Sequence, residues 1–257
     1  MARTKTSHLP ELTRAAPDSV TFTFPKHSEN LNGHSSDTPS TIVTIPPGSS
    51  FTTSLHWHVT HTEYIRVISG AALITLSNQT KVYTAEDGIA VIPRYARHEW
   101  MRFDRPAHLL SKSQRKGQEK WMEEHGEDVI EKLRGMDLVA EEWTDPGDGE
   151  KEVFFRNILS TLKESQWREG WWGVVLMLLQ IMLVMWELDN PVVLLDLGGP
   201  GDGDGWRGAV ETAVTYAFMW SVAMMGKALG LKAVNEEYTP KYLLKAWDEG
   251  KAKGKRE

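Results

Sequence analysis

Short strand-like runs separated by turn residues constrain the fold of this chain more than any other feature. They follow one another closely over residues 19–24, 41–45, 55–58, 63–69, 71–76, 81–84, 88–92 and 98–103. Several of them alternate apolar or β-branched residues with polar ones, which is typical of strands that bury one face. Glycine, proline and asparagine lie between them. Repeated short strands of this kind predict a β-sandwich or β-barrel.

Three histidines and one glutamate within these strands form a candidate metal site. His56 and His58 are two residues apart, so they would lie on the same face of a strand. Glu63 can return to that face, and His98 can arrive from another strand. Three neutral imidazoles and one carboxylate suit a divalent transition metal and leave positions open if the metal is octahedral. Without a metal, the burial of these groups would be costly.

The residues around these ligands resemble the two sequence motifs of the cupin superfamily. The first motif is carried by His56, His58, Glu63 and Gly70, and the second by Gly88, Pro93 and His98. In that family, the corresponding histidines and glutamate hold one metal ion inside a small barrel. The resemblance implies a jelly-roll barrel with His56, His58, Glu63 and His98 as metal ligands. It covers roughly residues 19–105 and, more loosely, 138–158.

Three further residues near the predicted ligands are candidates for a role in the site. His61 is separated from His58 by an odd number of residues, which places it on the opposite face of a regular strand and favours a structural or supporting role. Tyr95 stands where the second cupin motif normally has a glycine, and Arg97 follows it in the same loop. Tyr95 and Arg97 are candidates for substrate contact, and His61 and Tyr95 are candidates for an acid or base.

The rest of the chain divides into segments of different character. Residues 1–18 are polar and predict a disordered lead-in to a barrel over 19–160. The highly charged stretch 111–135 predicts an exposed helical insertion, and 151–162 has spacing that suits a helix across the barrel. Phe154 and Phe155 in that helix would either belong to the core or close the mouth of the cavity.

The region 161–257 predicts a pair of apolar helices followed by a basic tail. Residues 171–186 and 212–231 contain few charges, but the first run spans only about 24 Å, short of the roughly 30 Å hydrocarbon core of a bilayer. Trp171, Trp172 and Trp186 bracket this run, and lysines follow the second. Both features suit a membrane hairpin with the barrel in the cytoplasm. The alternative is a soluble helical pair packed against the barrel or against the twin subunit of a homodimer.

Composition excludes several classes of function. A net charge of −6 and a pI near 5.9 give no electrostatic reason to expect nucleic-acid binding. Cysteine is absent, which excludes disulfides, thiolate ligands and a thiol nucleophile. The first residues lack the apolar stretch of a signal peptide, so an intracellular location is expected. Neither a nucleotide-binding loop nor a dinucleotide fingerprint is present.

The predicted ligand set favours a metal-dependent oxidoreductase, most simply an oxygenase, with Fe(II) preferred over Mn(II), Ni(II) or Zn(II). A redox-neutral isomerase, cyclase or decarboxylase would use the same ligands, with the metal as a Lewis acid. A non-catalytic ligand-binding cupin is the third alternative. The barrel with an apolar helical tail also resembles small cupins encoded among fungal secondary-metabolite enzymes. That resemblance implies a lipophilic substrate, such as a polyketide or aromatic intermediate.

Overall fold

The computed structural model of the chain describes residues 3–24, 40–164, 170–194 and 206–252. Its strands are β1 (Glu11–Arg14), β2 (Val20–Thr23), β3 (Thr41–Ile45), β4 (Thr62–Ser69), β5 (Ala71–Leu76), β6 (Gln79–Thr84), β7 (Ile89–Ile92), β8 (His98–Arg102) and β9 (Leu138–Asp145). Its α-helices are α1 (Lys112–Glu124), α2 (Glu127–Arg134), α3 (Glu150–Lys163), α4 (Gly170–Glu187), α5 (Trp206–Ala228) and α6 (Lys241–Ala252).

The strands form the predicted two-sheet sandwich. One sheet has the order β1-β2-β3-β9-β4-β7 and the other has the order β6-β5-β8, and every pairing is antiparallel. Burial alternates along the strands, as in β3, where Thr41, Val43 and Ile45 are buried and the residues between them are half-buried. Alternate residues therefore point between the two sheets, where the main apolar core lies.

Helices from the C-terminal region share this core. Val184 near the end of α4, Leu188 after it, and Leu243 and Trp247 of α6 belong to the same buried cluster as the strands. Phe155 of α3 packs against Phe22 with ring centroids 4.6 Å apart, so it is a core residue. The sandwich and the C-terminal helices are therefore packed together across the predicted boundary at residue 160.

Helices α1 and α2 lie within the stretch 111–135 that was predicted as a helical insertion, and they cover part of the three-stranded sheet. Ser111 and Gln114 form a capping box at the start of α1. Ile130 of α2 is buried with Leu73 and Phe103, and Trp121 packs against the same cluster. The insertion thus buries the outer face of a sheet that would otherwise meet water.

Several predictions differ from the structure. Segment 11–14 is the paired strand β1 with Leu12 fully buried, so the predicted disorder over 1–18 is wrong there. Residues 55–58 make only isolated bridges, through His56 to His98 and to Val192, and do not form a regular strand. A mainly β fold was predicted, whereas more of the described residues lie in helices than in strands. Helix α6 was not predicted.

Candidate metal centre

The four predicted ligands come together inside the sandwich. Glu63 lies in β4 and His98 begins β8, while His56 and His58 lie in the irregular segment before β4. One potential ligand atom from each residue lies within 4.8 Å of the others. Their exposed fractions are 5% for His56, 2% for His58 and 0% for Glu63 and His98. The predicted cluster is therefore formed and is almost completely shielded from solvent.

Backbone carbonyls fix the tautomer of all three histidines. The Nδ1 atom of His56 lies 2.8 Å from the Ser54 carbonyl oxygen, that of His58 lies 2.6 Å from the Asp189 carbonyl, and that of His98 lies 2.9 Å from the Ala96 carbonyl. A carbonyl oxygen can only accept, so each Nδ1 must carry the proton. Each neutral imidazole therefore turns an unprotonated Nε2 lone pair toward the centre of the cluster.

These lone pairs face the carboxylate of Glu63, which likewise has no proton to donate. Oε2 of Glu63 lies 2.8 Å from Nε2 of His58 and 2.7 Å from Nε2 of His98. With both imidazoles neutral, these contacts bring acceptor against acceptor. They become favourable if the imidazoles are protonated or if a cation lies between the acceptors.

The electrostatics of the site favour the bound cation. Burial, together with the neighbouring His98 and His58, holds the pKa of His56 well below its ordinary value. Burial and the charge of Lys151 also lower the pKa of His58. Burial alone would raise the pKa of Glu63, but the Lys151 ammonium and the interactions with Glu142, His98 and His58 together outweigh it, so the pKa lies well below the ordinary value. The lowered pKa values favour an ionised Glu63 and neutral His56 and His58, and a donor set of one carboxylate and three imidazoles fits a divalent transition metal.

Behind Glu63 lies a charged layer that sequence reasoning missed, formed by the Lys151 ammonium with Glu142 beside it. Nζ of Lys151 lies 2.8 Å from Oε1 of Glu63 and 2.5 Å from Oε1 of Glu142, and all three side chains are buried. Burial raises the pKa of Glu142 well above its ordinary value despite the opposing Lys151 charge. Its Oε2 is buried without a hydrogen-bond partner. The raised pKa favours a proton on Glu142, next to the ligand set.

A segment that follows α4 supports the loop that carries His56 and His58. The Asp189 carbonyl accepts the Nδ1 proton of His58, while the Asp189 carboxylate accepts from the amides of Val59 and Thr60 at 2.7 and 2.9 Å. The amide of Val193 donates to the Leu55 carbonyl at 2.9 Å. The C-terminal region therefore supplies the tautomer-fixing contact of one predicted metal ligand.

His61 lies beside this loop as part of an ion-paired cluster. Its Nδ1 lies 2.8 Å from Oδ2 of Asp189, and its Nε2 lies 3.4 Å from Asp148. Burial opposes protonation, but the hydrogen bonds to Asp148 and Asp189 raise the pKa of His61 to about 9. His61 is also close to Glu150, but a protonated ring has no free lone pair for a metal. This arrangement agrees with the supporting role predicted from its offset.

Arg97 and Tyr95 lie at the edge of the site in different environments. The Arg97 guanidinium forms an ion pair with Glu211 and stands 5.9 Å from the Trp57 ring centroid. Tyr95 is 60% exposed and its amide donates to the His58 carbonyl at 2.6 Å. Its φ of 66° lies in the left-handed region that favours glycine. Substrate contact by either residue stays a prediction.

The sequence contains a signal for Glu142, one of the residues that sequence reasoning missed, but none for Asp189 or Glu211. Glu142 alternates with Leu138, Ala140 and Thr144 along β9, and all of these point into the core. That alternation could have marked Glu142 as an inward carboxylate. Asp189 and Glu211 contact the site through tertiary packing, and no spacing in the sequence links them to it.

Comparison with known proteins finds likeness only among solved structures. No protein-family model and no curated protein matches the chain. CapF, a capsular polysaccharide assembling protein from Staphylococcus aureus, is 15% identical with a TM-score of 0.32, over 53% of this chain and 29% of CapF. An oxalate oxidase is 15% identical with a TM-score of 0.32, over 55% of this chain and 58% of its own. A cupin 2 conserved barrel domain protein from Rhodopseudomonas palustris is 13% identical with a TM-score of 0.29, over 56% of this chain and 68% of its own.

The chain thus spans less than a third of the length of CapF. At these identities and TM-scores, the likenesses carry no argument about activity or substrate. Only the residues of the site itself therefore indicate its chemistry.

Proposed function

We propose that this chain is a metal-dependent oxidoreductase of the cupin type, acting as an oxygenase on a lipophilic small molecule. The observation that carries the proposal is the set of three imidazole Nε2 atoms and one carboxylate that converge without a proton between them. His56, His58, Glu63 and His98 would hold one divalent metal, with Fe(II) favoured. Such an ion, when bound, supplies redox chemistry with dioxygen beside a chelated substrate.

The surrounding residues would fix the protonation states of the four metal ligands. Lys151 holds Glu63 ionised, and the carbonyls of Ser54, Asp189 and Ala96 hold the imidazoles as Nε2 donors. The burial of the ligands excludes bulk water from the site. The substrate class is inferred from the apolar helices α4 and α5 next to the sandwich, which would favour a polyketide or aromatic compound.

Oxygenase chemistry can be tested with protein reconstituted anaerobically with Fe(II). We expect nitric oxide, a probe of open coordination positions on Fe(II), to give an electron paramagnetic resonance signal that is lost in His56→Ala/His98→Ala. We also expect metal-dependent oxygen consumption with some members of a panel of phenolic and polyketide compounds. Iron that binds at the site but leaves no position for nitric oxide would contradict the oxygenase assignment.

A redox-neutral isomerase, cyclase or decarboxylase is the second candidate, and the Glu142–Lys151 pair favours it. Such a reaction needs a group that gives or takes a proton near the metal, and protonated Glu142 lies in the layer next to Glu63. Turnover of the same panel by the Zn(II)-loaded protein without oxygen uptake would support this candidate. Binding of a panel compound with no turnover under either metal would instead indicate a ligand-binding cupin.

A further inference from the structure

Helix α5 has an unusual distribution of polar and apolar residues. Its face toward the sandwich carries Glu211 and Thr215, both buried, and Glu211 forms the ion pair with Arg97. Thr215 Oγ1 accepts from the amide of Leu194 at 3.5 Å. The opposite face of this helix is the α5 outward face. Between positions 209 and 225 it consists of the exposed residues Ala209, Val210, Ala213, Val214, Ala217, Phe218, Trp220, Ser221, Met224 and Met225. Two exposed charged residues, Arg207 and Lys227, lie just beyond its two ends.

The α5 outward face offers no polar group to a partner. It carries no charged residue, and its one hydroxyl, that of Ser221, donates within the helix to the Ala217 carbonyl at 2.7 Å. A surface helix of a soluble protein places its polar side chains outward, so α5 has the reverse arrangement. Protein interfaces carry about one hydrogen bond per 100–200 Å² and a polar rim. The lipid acyl chain is the partner that requires neither.

Exposed tryptophans mark the ends of the helix pair formed by α4 and α5. Trp186 near the end of α4 contacts Tyr216 in the first half of α5, at 5.6 Å between ring centroids, whereas Leu183 and Leu179 lie beside Gly226. The two helices are therefore antiparallel. Trp206 at the start of α5 is 72% exposed, and Trp171 and Trp172 at the start of α4 are 66% and 60% exposed. Exposed indoles at the ends of an apolar surface are typical of residues at the boundary between lipid and water.

The contacts of α4 and α5 with the rest of the protein restrict how this helix pair can bind to a bilayer. By length and composition, α4 is the one described helix that could cross a membrane, and 33% of its apolar window is buried in the protein. Arg97 of the sandwich pairs with Glu211, and the ring centroids of Trp57 and Tyr216 lie 5.9 Å apart. A spanning hairpin would have to give up these contacts or draw the sandwich into lipid.

We propose that the protein docks onto a lipid bilayer through the α5 outward face, with α5 lying in one leaflet parallel to the membrane plane. The apolar side chains would enter the boundary between headgroups and acyl chains, while the buried polar face stays on the sandwich. Because the chain carries a net charge of −6, apolar burial and not attraction to anionic lipid drives this docking. The docking does not depend on the metal, so it can fail or succeed independently of the proposed oxygenase activity.

Vesicle flotation tests the proposal with the full-length chain. Phosphatidylcholine vesicles are expected to carry the wild type to the top of a density gradient, and added phosphatidylserine is not expected to strengthen binding. Val214→Glu/Phe218→Glu places two charges on the α5 outward face and should lower the partition coefficient by at least about tenfold. The matched control Leu109→Glu/Val129→Glu changes two apolar residues of similar exposure outside α5, one before α1 and one in α2, and should float like the wild type.

The chain contains no cysteine, so a single label reports the depth of insertion. Phe218→Cys would carry an environment-sensitive fluorophore, quenched by nitroxide lipids labelled near the headgroup or near the end of the acyl chain. The proposal predicts stronger quenching by the label near the headgroup, whereas strongest quenching near the bilayer centre would indicate a spanning helix and overturn it. A wild type that stays with the lipid-free fraction would also overturn it, and a dimer broken by Val214→Glu/Phe218→Glu would then identify a second copy as the partner.

Discussion

At the scale of single residues, the site depends on where each proton resides. The clustering of His56, His58, Glu63 and His98 could be predicted because their spacing matches a known pattern, although residues 55–58 do not form the regular strand that was expected. The acceptors that fix the tautomers could not be predicted. His58 and Asp189 are 131 residues apart in the chain, and only tertiary packing brings them together.

Replacing Glu63 with glutamine tests whether the carboxylate charge holds the metal. We expect Glu63→Gln to weaken Fe(II) or Zn(II) binding by at least about 100-fold, because it removes the anionic ligand while keeping its size. In the metal-free protein the amide can donate to the Nε2 atoms of His58 and His98, but the buried Lys151 ammonium loses its ionised partner. We therefore expect the free energy of unfolding to fall by about 3–5 kcal/mol. Competition with a chelator measures the first effect and urea denaturation the second. Unchanged affinity would show that Glu63 is not a ligand.

Removing Lys151 tests the charged layer behind the ligands. Lys151→Met leaves the buried Glu63 without its counter-ion, so we expect a loss of about 3–5 kcal/mol in the unfolding free energy of the metal-free protein. Glu142→Gln should cost much less, because Glu142 is expected to be neutral already. The control Lys120→Met removes an exposed ion pair with Glu124 and should change stability by less than about 0.5 kcal/mol. Equal losses for Lys151→Met and Glu142→Gln would show that Glu142 is charged.

The His61 cluster predicts a specific dependence of stability on pH. Because the bonds to Asp148 and Asp189 raise the pKa of His61 from 6.5 to about 9, the folded state holds a proton that the unfolded state releases. The resulting stabilisation is complete below pH 6.5 and is lost as pH rises through about 9. We expect His61→Gln to remove this decline from the unfolding free energy measured between these two pH values. A decline that persists in the variant would assign it to other groups.

At the scale of secondary-structure elements, alternation predicted the strands well and local composition predicted the helices only in part. β3 has the predicted bounds because its alternation is regular, whereas β5, buried at five consecutive positions, lies between the turn residues Gly70 and Ser77. Residues 55–58 depart from a strand because Ser54 has a φ of 62° and because the segment bridges to both His98 and Val192. Helix α6 was missed because its charged residues hide the two core residues, Leu243 and Trp247.

At this scale, the prediction concerns Asp189, in the segment after α4, and its effect on metal affinity. Asp189→Asn keeps a residue that tolerates the left-handed φ of 52° but weakens the cap over Val59, Thr60 and His61. We expect metal affinity to fall by about 10–100-fold, as for other residues that orient a ligand. Asp87→Asn alters a similar carboxylate cap, on Thr84 in an exposed turn, and should leave the affinity unchanged. Equal affinities in the two variants would mean that the loop does not need Asp189.

At the scale of the whole molecule, the sequence indicated the sandwich and its site but not how the C-terminal region joins them. The apolar runs predicted helices, yet apolar composition alone does not distinguish a face packed on protein from one that meets lipid. The structure resolves this for the inner faces, since Glu211 contacts Arg97 and Val184 enters the main core. These long-range contacts explain why the predicted mainly β fold contains so much helix around the site.

Metal content is the most direct test of the central claim that the buried histidines and glutamate form a metal centre. Elemental analysis of protein purified without a metal-affinity step should find about one transition-metal ion per chain, directly or after anaerobic reconstitution with Fe(II). The ion should be lost in His56→Ala/His98→Ala and retained in the control His108→Ala/His125→Ala, which changes two exposed histidines. Absence of metal from the reconstituted wild type, or its retention in His56→Ala/His98→Ala, would contradict the account.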